Sequence, residues 1–431
     1  MRRITAILIL FALALAFHGD VAAQVGGVGS IETVGSGVDA ISLVRVAGNR
    51  YQMGYWYGYL LADQIAACSV PFLAAFTEQQ FTDATTALWN SSFFDTAAYE
   101  AELNGMADGC AANGHPEMTF EKLRRLQLIP DMGEAGCGLF AAWAGATADG
   151  HLYQLRNLDW TMDAGAQDYP VVTFYEPTDG NRHAVIGFAG IIAAAVGGIS
   201  IRGTAVSEIM GGFGDAEGTP PIPFAGIPYP ILLRECLYKD TTLAQALNRI
   251  GGATRTNQYY YCISGKDDGG DDDARLLFTS RSRFDEFGGG QEVLPHPYYD
   301  PIYIPLEDVV YWKRHDGGAY ATPGPENARK GNQTLYAAIN ARYGSIDASK
   351  AIEIARADGV ADTVVSIVYD TTALKFWVAY ADGPSDPATN QNYVEFDFAN
   401  QPSAMPLPWR MTAVCMLLFG AMMMRRHRHI G

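Results

Sequence analysis

The stretch GCGLFAAWAGATADGHLYQLRNLDW, Gly136 to Trp160, consists of two short apolar runs about a turn at Ala148-Asp149-Gly150. Asp-Gly between two such runs is a strong hairpin signal, because glycine reaches the positive φ that tight turns need. The first run opens on a thiol, Cys137, directly after Gly136, which has no side chain to obstruct an approach to its carbonyl. A cysteine so placed can attack that carbonyl, and hydrolysis of the resulting thioester makes Cys137 the first residue of a new chain. Its free α-amino group, with a pKa of ~8, is suited to take the thiol's proton. A thiol in an apolar strand has a plainer reading as well, that of a buried and inert side chain.

Outward from this hairpin the elements come in blocks. Ahead of it lie a strand-like run, Ile41 to Val46, and a helix from Gly48 whose small residues Gly54 and Gly58 allow close packing. A further helix is expected through Pro116 to Leu128, so the segment before Cys137 reads as mostly helical. After the hairpin come strand-like YPVVTFYEP, HAVIGFAGII and GISIRGTAVSEIM. Two helices follow, YPILLRECLY and TTLAQALNRIGG, the second with Thr241 or Thr242 as N-cap and Gly251 as C-cap. YYYCISG and RLLFTS form a hairpin about an acidic tip, Asp347 caps the helix DASKAIEIARADG, and TVVSIVYD with LKFWVAY makes a last hairpin. Strands, then helices, then strands again predict an α+β layered fold with antiparallel sheets.

On these residues the chain resembles the N-terminal-nucleophile (Ntn) hydrolases, in particular the autoproteolytic acyltransferase and hydrolase family that contains isopenicillin N acyltransferase. It is similar also to acid ceramidase, N-acylethanolamine acid amidase and the bile-salt hydrolases. The likeness lies in the Gly-Cys start, the hairpin and the Arg-x-x-Asp of Arg156 and Asp159. It extends to the spaced Gly48, Tyr51, Gly54 and Gly58, to FAGIIAAAVGGISIRGTAVSEI and to VSIVYD. The resemblance implies an αββα four-layer sandwich, self-cleavage between Gly136 and Cys137, and a two-fragment heterodimer. It implies Cys137 as nucleophile, Arg156 near thiol and substrate, and Asp159 holding the new α-amino group, with no cofactor. The pattern is broken in two places. The hydroxyl residue that commonly follows the family's cysteine is Gly138, and DVVYWKRHD, Asp308 to Asp316, lacks the asparagine that usually donates to the oxyanion. Asn257 is the nearest upstream amide for that role, with Arg314 or a backbone N–H as substitutes; a missing donor costs ~3 kcal/mol of transition-state stabilisation.

The ends suggest where the thiol works. Met1-Arg2-Arg3, an apolar core and Val21-Ala22-Ala23 read as a secretory signal over residues 1–23. A pro-segment over 24–136 and a catalytic core over 137–400 follow, then a tail over 401–431 made of a Pro-rich linker, MTAVCMLLFGAMMM and a basic cluster. The apolar part of that tail falls short of the ~20 residues that span a bilayer, and its layout resembles surface-sorting signals cut by a membrane peptidase; a plain short anchor fits equally. Export is the expected destination.

Composition narrows the rest. A net charge of -17 argues against nucleic acid as a partner, since a phosphate backbone needs a basic face. The run Lys266 to Asp273 lacks the closing Glu of a calcium loop, and the histidines show no HExxH spacing, so no metal is expected. Of six cysteines, Cys68 with Cys110 and Cys236 with Cys262 can pair in an oxidising compartment or remain free thiols. The expected chemistry is hydrolysis or transfer of the acyl group of an N-acyl or peptide-like amide, with Phe213 to Tyr229 and Tyr298 to Tyr303 as candidates for an acyl pocket. Two other readings stand beside it: a membrane-tethered binding or shell protein without turnover, and an unprocessed cysteine peptidase.

Overall fold

The structure is a computed structural model, and it describes residues 26–133, 136–212, 225–291, 304–314, 325–383 and 385–401. The expected signal segment, nearly all of the tail and most of the aromatic stretches proposed for an acyl pocket lie outside these residues.

The chain opens with β1 (Val28–Val34) and β2 (Ile41–Gly48), then four helices, α1 (Arg50–Ala74), α2 (Glu78–Leu88), α3 (Thr96–Ala112) and α4 (Phe120–Met132). Next come β3 (Gly136–Ala142), β4 (Tyr153–Asp159), β5 (Pro170–Pro177), β6 (His183–Phe188), β7 (Gly197–Ser200) and β8 (Ala205–Gly212). After α5 (Tyr229–Lys239) and α6 (Leu243–Gly252) follow β9 (Gln258–Lys266), β10 (Asp272–Thr279), β11 (Phe284–Phe287) and β12 (Val309–Arg314). Helices α7 (Pro325–Asn340) and α8 (Ala348–Asp358) precede β13 (Thr363–Asp370), β14 (Lys375–Tyr380) and β15 (Val394–Asp397).

The strands form two sheets, a nine-stranded one in the order β1-β2-β5-β6-β7-β8-β9-β10-β11 and a six-stranded one in the order β12-β3-β4-β13-β14-β15. They face each other where β3 and β4 pack on β8 and β9. Helices α1, α5 and α6 cover the outer face of the larger sheet, and α7 and α8 cover that of the smaller one. This is the αββα sandwich that the resemblance implies. Pairing is antiparallel except between β2 and β5, which run parallel. Those two strands are separated by the helical segment and a complete hairpin of the other sheet, and a crossover of that length is what parallel pairing requires.

Alternation along β3 divides the core. Cys137, Leu139 and Ala141 join the apolar layer between the sheets, whereas Phe140 and Ala142 join the smaller cluster under α7 and α8. A strand buried on both faces carries no polar side, which is why GLFAA shows no alternating pattern.

Helices α1 and α3 meet backbone to backbone. A Cβ on Gly54 would stand 1.9 Å from the carbonyl oxygen of Glu102, and one on Gly58 2.2 Å from that of Met106. Gly105 and Gly109 of α3 face the carbonyls of Tyr51 and Tyr55 with equal closeness, 2.1 Å each. Thr242 caps α6 by accepting from the Gln245 N–H at 3.3 Å, but the helix runs through Gly251 and ends at Ala253. A left-handed glycine is not needed there, because Arg255 donates to the carbonyls of Ile250 and Gly251 at 2.6 and 2.9 Å. Cys68, Cys110, Cys137, Cys236 and Cys262 are all buried free thiols, so neither proposed bridge forms among the described residues.

Candidate active site

The hairpin sets the site by register. Gly136 lies opposite Asp159, Cys137 opposite Leu158, and Leu139 opposite Arg156. Cys137 and Arg156 are thus diagonal neighbours on the face turned to the larger sheet. Asp159 projects from the other face, beside the Gly136-Cys137 bond.

On the inner face Arg156 is wholly buried, donating to Glu208 Oε1 of β8 at 2.6 Å and to the Asn157 carbonyl at 2.5 Å. Its positive charge also acts on the Cys137 sulfur. Burial pushes the thiol up to about 12; Arg156 pulls the other way, and Glu208 and Asp159 add to the rise. Desolvation wins, so in the uncut chain Cys137 is a neutral thiol with no exposed surface.

A cavity of about 50 Å3 opens beyond Leu158, the strand partner of Cys137, and Glu208, the partner of Arg156; Cys137 itself is not among its lining residues. Its walls are Ile129, Pro130 and Gly133 at the end of α4, Leu158 and Trp160, Met210 of β8, and Tyr229 of α5, with Glu208 the one charged side chain. Of the stretches read as candidates for an acyl pocket, Tyr229 lines this cavity. An apolar wall with few polar groups suits an alkyl or aryl group rather than a charged one.

On the outer face lies a second buried cluster. Asp159 accepts from Thr363 Oγ1 at 2.7 Å through one oxygen and from Lys313 Nζ at 2.9 Å through the other. Lys313 also donates to the Asp358 carbonyl at 3.0 Å and to its Oδ2 at 3.4 Å, and Asn157 Nδ2 donates to the same Oδ2 at 2.8 Å. The neighbouring carboxylates hold the Lys313 ammonium well above its ordinary pKa, although burial alone would lower it. Burial and the nearby Asp159 raise Asp358, and Lys313 opposes them. Gly138 now has a reason: a Cβ there would fall 1.9 Å from Asp358 Oδ2, so the carboxylate fills the space of a side chain.

Asn257 is buried just ahead of β9, where its Nδ2 donates to the Asp131 carbonyl at 3.1 Å, which ties it to the last turn of α4. The Asp131 carboxylate accepts from Thr256 Oγ1 at 2.7 Å, Tyr259 OH at 3.0 Å and the Tyr229 N–H at 3.1 Å. Asn257 thus anchors the segment leading to Cys137. Arg314 lies opposite Cys137 in the pairing of β12 with β3. Lys313 is the residue that sequence reasoning misses. It falls inside DVVYWKRHD, the segment noted for its absent asparagine, and its position one residue from a strand partner of the thiol was the available signal. Among the described residues no cluster of His, Cys, Asp or Glu is arranged to hold a metal ion.

No protein-family model matches this chain. Two curated proteins of Dictyostelium discoideum are similar in sequence. Protein dcd1B is 26% identical over 313 residues, 67% of this chain and 60% of that protein. Protein dcd1A is 25% identical over 318 residues, 72% of this chain and 65% of that protein. The chain thus spans less than two thirds of the length of these relatives. Among solved structures, a Caenorhabditis elegans ortholog of N-acylethanolamine-hydrolyzing acid amidase is 13% identical with a TM-score of 0.39, covering 60% of this chain and 100% of that one. Penicillin V acylase from Agrobacterium tumefaciens is 13% identical with a TM-score of 0.38, covering 61% and 87%.

Proposed function

We propose that this chain is an exported, self-processing cysteine amidohydrolase of the Ntn type, acting on linear amides with an apolar acyl group. The observation that carries the reading is the placement of Cys137 and Arg156 on one buried face, near an apolar cavity, with Asp159 at the bond to be cut. In processing, the Cys137 sulfur attacks the Gly136 carbonyl, the C–N bond breaks, and the thiol proton passes to the departing nitrogen. Water then cleaves the thioester, leaving a carboxylate on Gly136 and a free thiol and α-amine on Cys137. In turnover the same sulfur attacks the substrate's amide carbonyl and the α-amine takes the thiol proton and delivers it to the leaving amine. Water, or an acceptor amine in a transfer reaction, releases the acyl group. Buried Arg156 favours the anionic states of the sulfur through charge.

Intact-mass measurement combined with a screen of N-acyl amides tests this. Wild-type protein is expected as two fragments meeting between Gly136 and Cys137, and Cys137→Ala as one chain without amidase activity. A Cys137→Ala chain still split there would mean that another protease makes the cut. A wild-type chain that stays whole and inactive would favour a binding protein that keeps the fold without turnover.

A further inference from the structure

The outer-face cluster holds one cation, Lys313, against two carboxylates, Asp159 and Asp358, all three at most 5% exposed. Each Lys313 donor bond is accounted for by Asp159 Oδ2, the Asp358 carbonyl and Asp358 Oδ2. The cluster is therefore one positive charge short inside a region where unbalanced charge is costly. Asp358 makes the imbalance worse, since it is the last residue of α8, where the helix dipole already disfavours a carboxylate. Structural economy would place an amide there.

We propose that Lys313 is a positioning residue: with Asp159 and Asp358 it forms a cradle that lacks one positive charge, that charge arrives as the α-ammonium freed at Cys137, and Lys313 thereby sets the pH at which the cysteine loses its proton. The inference rests on the reading of Cys137 as a self-released nucleophile and adds a residue to it. The opposition of Gly136 to Asp159 places the nascent amine at the cradle's rim. Before cleavage no second cation among the described residues meets these carboxylates, and the thiol stays neutral. After cleavage the thiol's proton moves to the α-amine, giving a thiolate and an ammonium, and the ammonium sits against Asp159. Among the described residues the other charged or ionisable groups near the thiol are Arg156 from β4, Glu208 from β8 and Tyr229 from α5, with Arg314 of β12 opposite it in register. Lys313 limits how strongly the cradle holds protons; without it the cradle would be two charges short, and both amine and thiol would keep their protons to higher pH.

The test is the pH dependence of iodoacetamide labelling at Cys137 in the processed protein, read by peptide mass. Lys313→Met should move the labelling midpoint upward by about one pH unit, the size expected for losing an opposite charge nearby. Asp358→Asn, which removes a negative charge, should move it downward, and Lys313→Arg should leave it near wild type. Opposite shifts are something that loss of packing alone does not produce. If Lys313→Met does not fold, a downward shift in Asp358→Asn together with a wild-type midpoint in Lys313→Arg supports the role, and any other result for that pair overturns it. Midpoints that stay fixed, or move in one direction for both charge changes, overturn the role of Lys313 while leaving the nucleophile in place. A wild-type chain that is never cut overturns the proposed function and this inference together, and intact mass shows which case applies.

Discussion

Two buried ion clusters in this molecule solve the same problem in different ways. Near the start of α1, Arg50 donates to Glu102 at 3.0 Å and to Glu235 at 3.2 Å, and Arg234 donates to the other oxygen of Glu102 at 2.8 Å. Three cations meet two carboxylates, since half-exposed Lys239 takes the other oxygen of Glu235; Tyr99 donates to Glu235 at 2.9 Å, and His183 beside Arg234 is kept neutral by burial and the neighbouring positive charge. That knot joins α1, α3 and α5, and both of its carboxylates are fully met by cations. The cluster of Lys313, Asp159 and Asp358 has one cation for two carboxylates among the described residues. The supply of cations therefore separates the two clusters, and on the proposed function the second is completed by the α-ammonium of Cys137.

The comparison breaks most visibly at Glu102. Replacing it with Gln leaves Arg50 and Arg234 buried with too little negative charge, and a loss of about 3–5 kcal/mol is expected. Thermal unfolding should show it, while the labelling midpoint of Cys137 stays at its wild-type value.

A smaller effect is expected at Gly138. A serine there collides with Asp358, so Gly138→Ser should cost about 2 kcal/mol, the range of overpacked cores. Asp358→Ala opens that space, and the double variant should recover part of the loss, with a coupling of about 1 kcal/mol in a double-mutant cycle. Strictly additive costs would mean that the carboxylate yields freely and that Gly138 is required for another reason.

The smallest change concerns Asp131. Burial pushes its carboxyl up to about 7, so the folded chain binds a proton that the unfolded chain, with a carboxyl near ~3.9, has already released. Stability from this group is full below about pH 4 and is lost as pH rises through 7. Asp131→Asn should flatten that part of the curve of thermal midpoint against pH; an unchanged slope would place the titration elsewhere.

The hairpin of β3 and β4 was legible because everything needed to read it lies within 25 residues: the turn signal, the apolar runs, and a spacing that puts Cys137 and Arg156 on one face. Gly54 and Gly58 announced a close helix contact through their spacing, but nothing in the sequence says that Gly105 and Gly109 complete it. Lys313 was harder still. Its partners come from β4 and α8, and a lysine in an apolar strand looks like an edge residue until tertiary structure buries it. Parallel pairing of β2 with β5 was equally hidden, since local pattern does not encode which strand a crossover returns to.

That parallel pairing has a consequence for what a cut at Gly136 would release. Seven residues of β2, Ser42 to Gly48, lie alongside Val171 to Pro177 of β5. Without the N-terminal piece, β5 would become a border strand whose unpaired N–H and C=O groups invite other chains to add on, the usual start of aggregation. The piece ahead of Cys137 is thus built as a permanent lateral seal on the sheet, and nicking the chain at Gly136 would not make it dispensable.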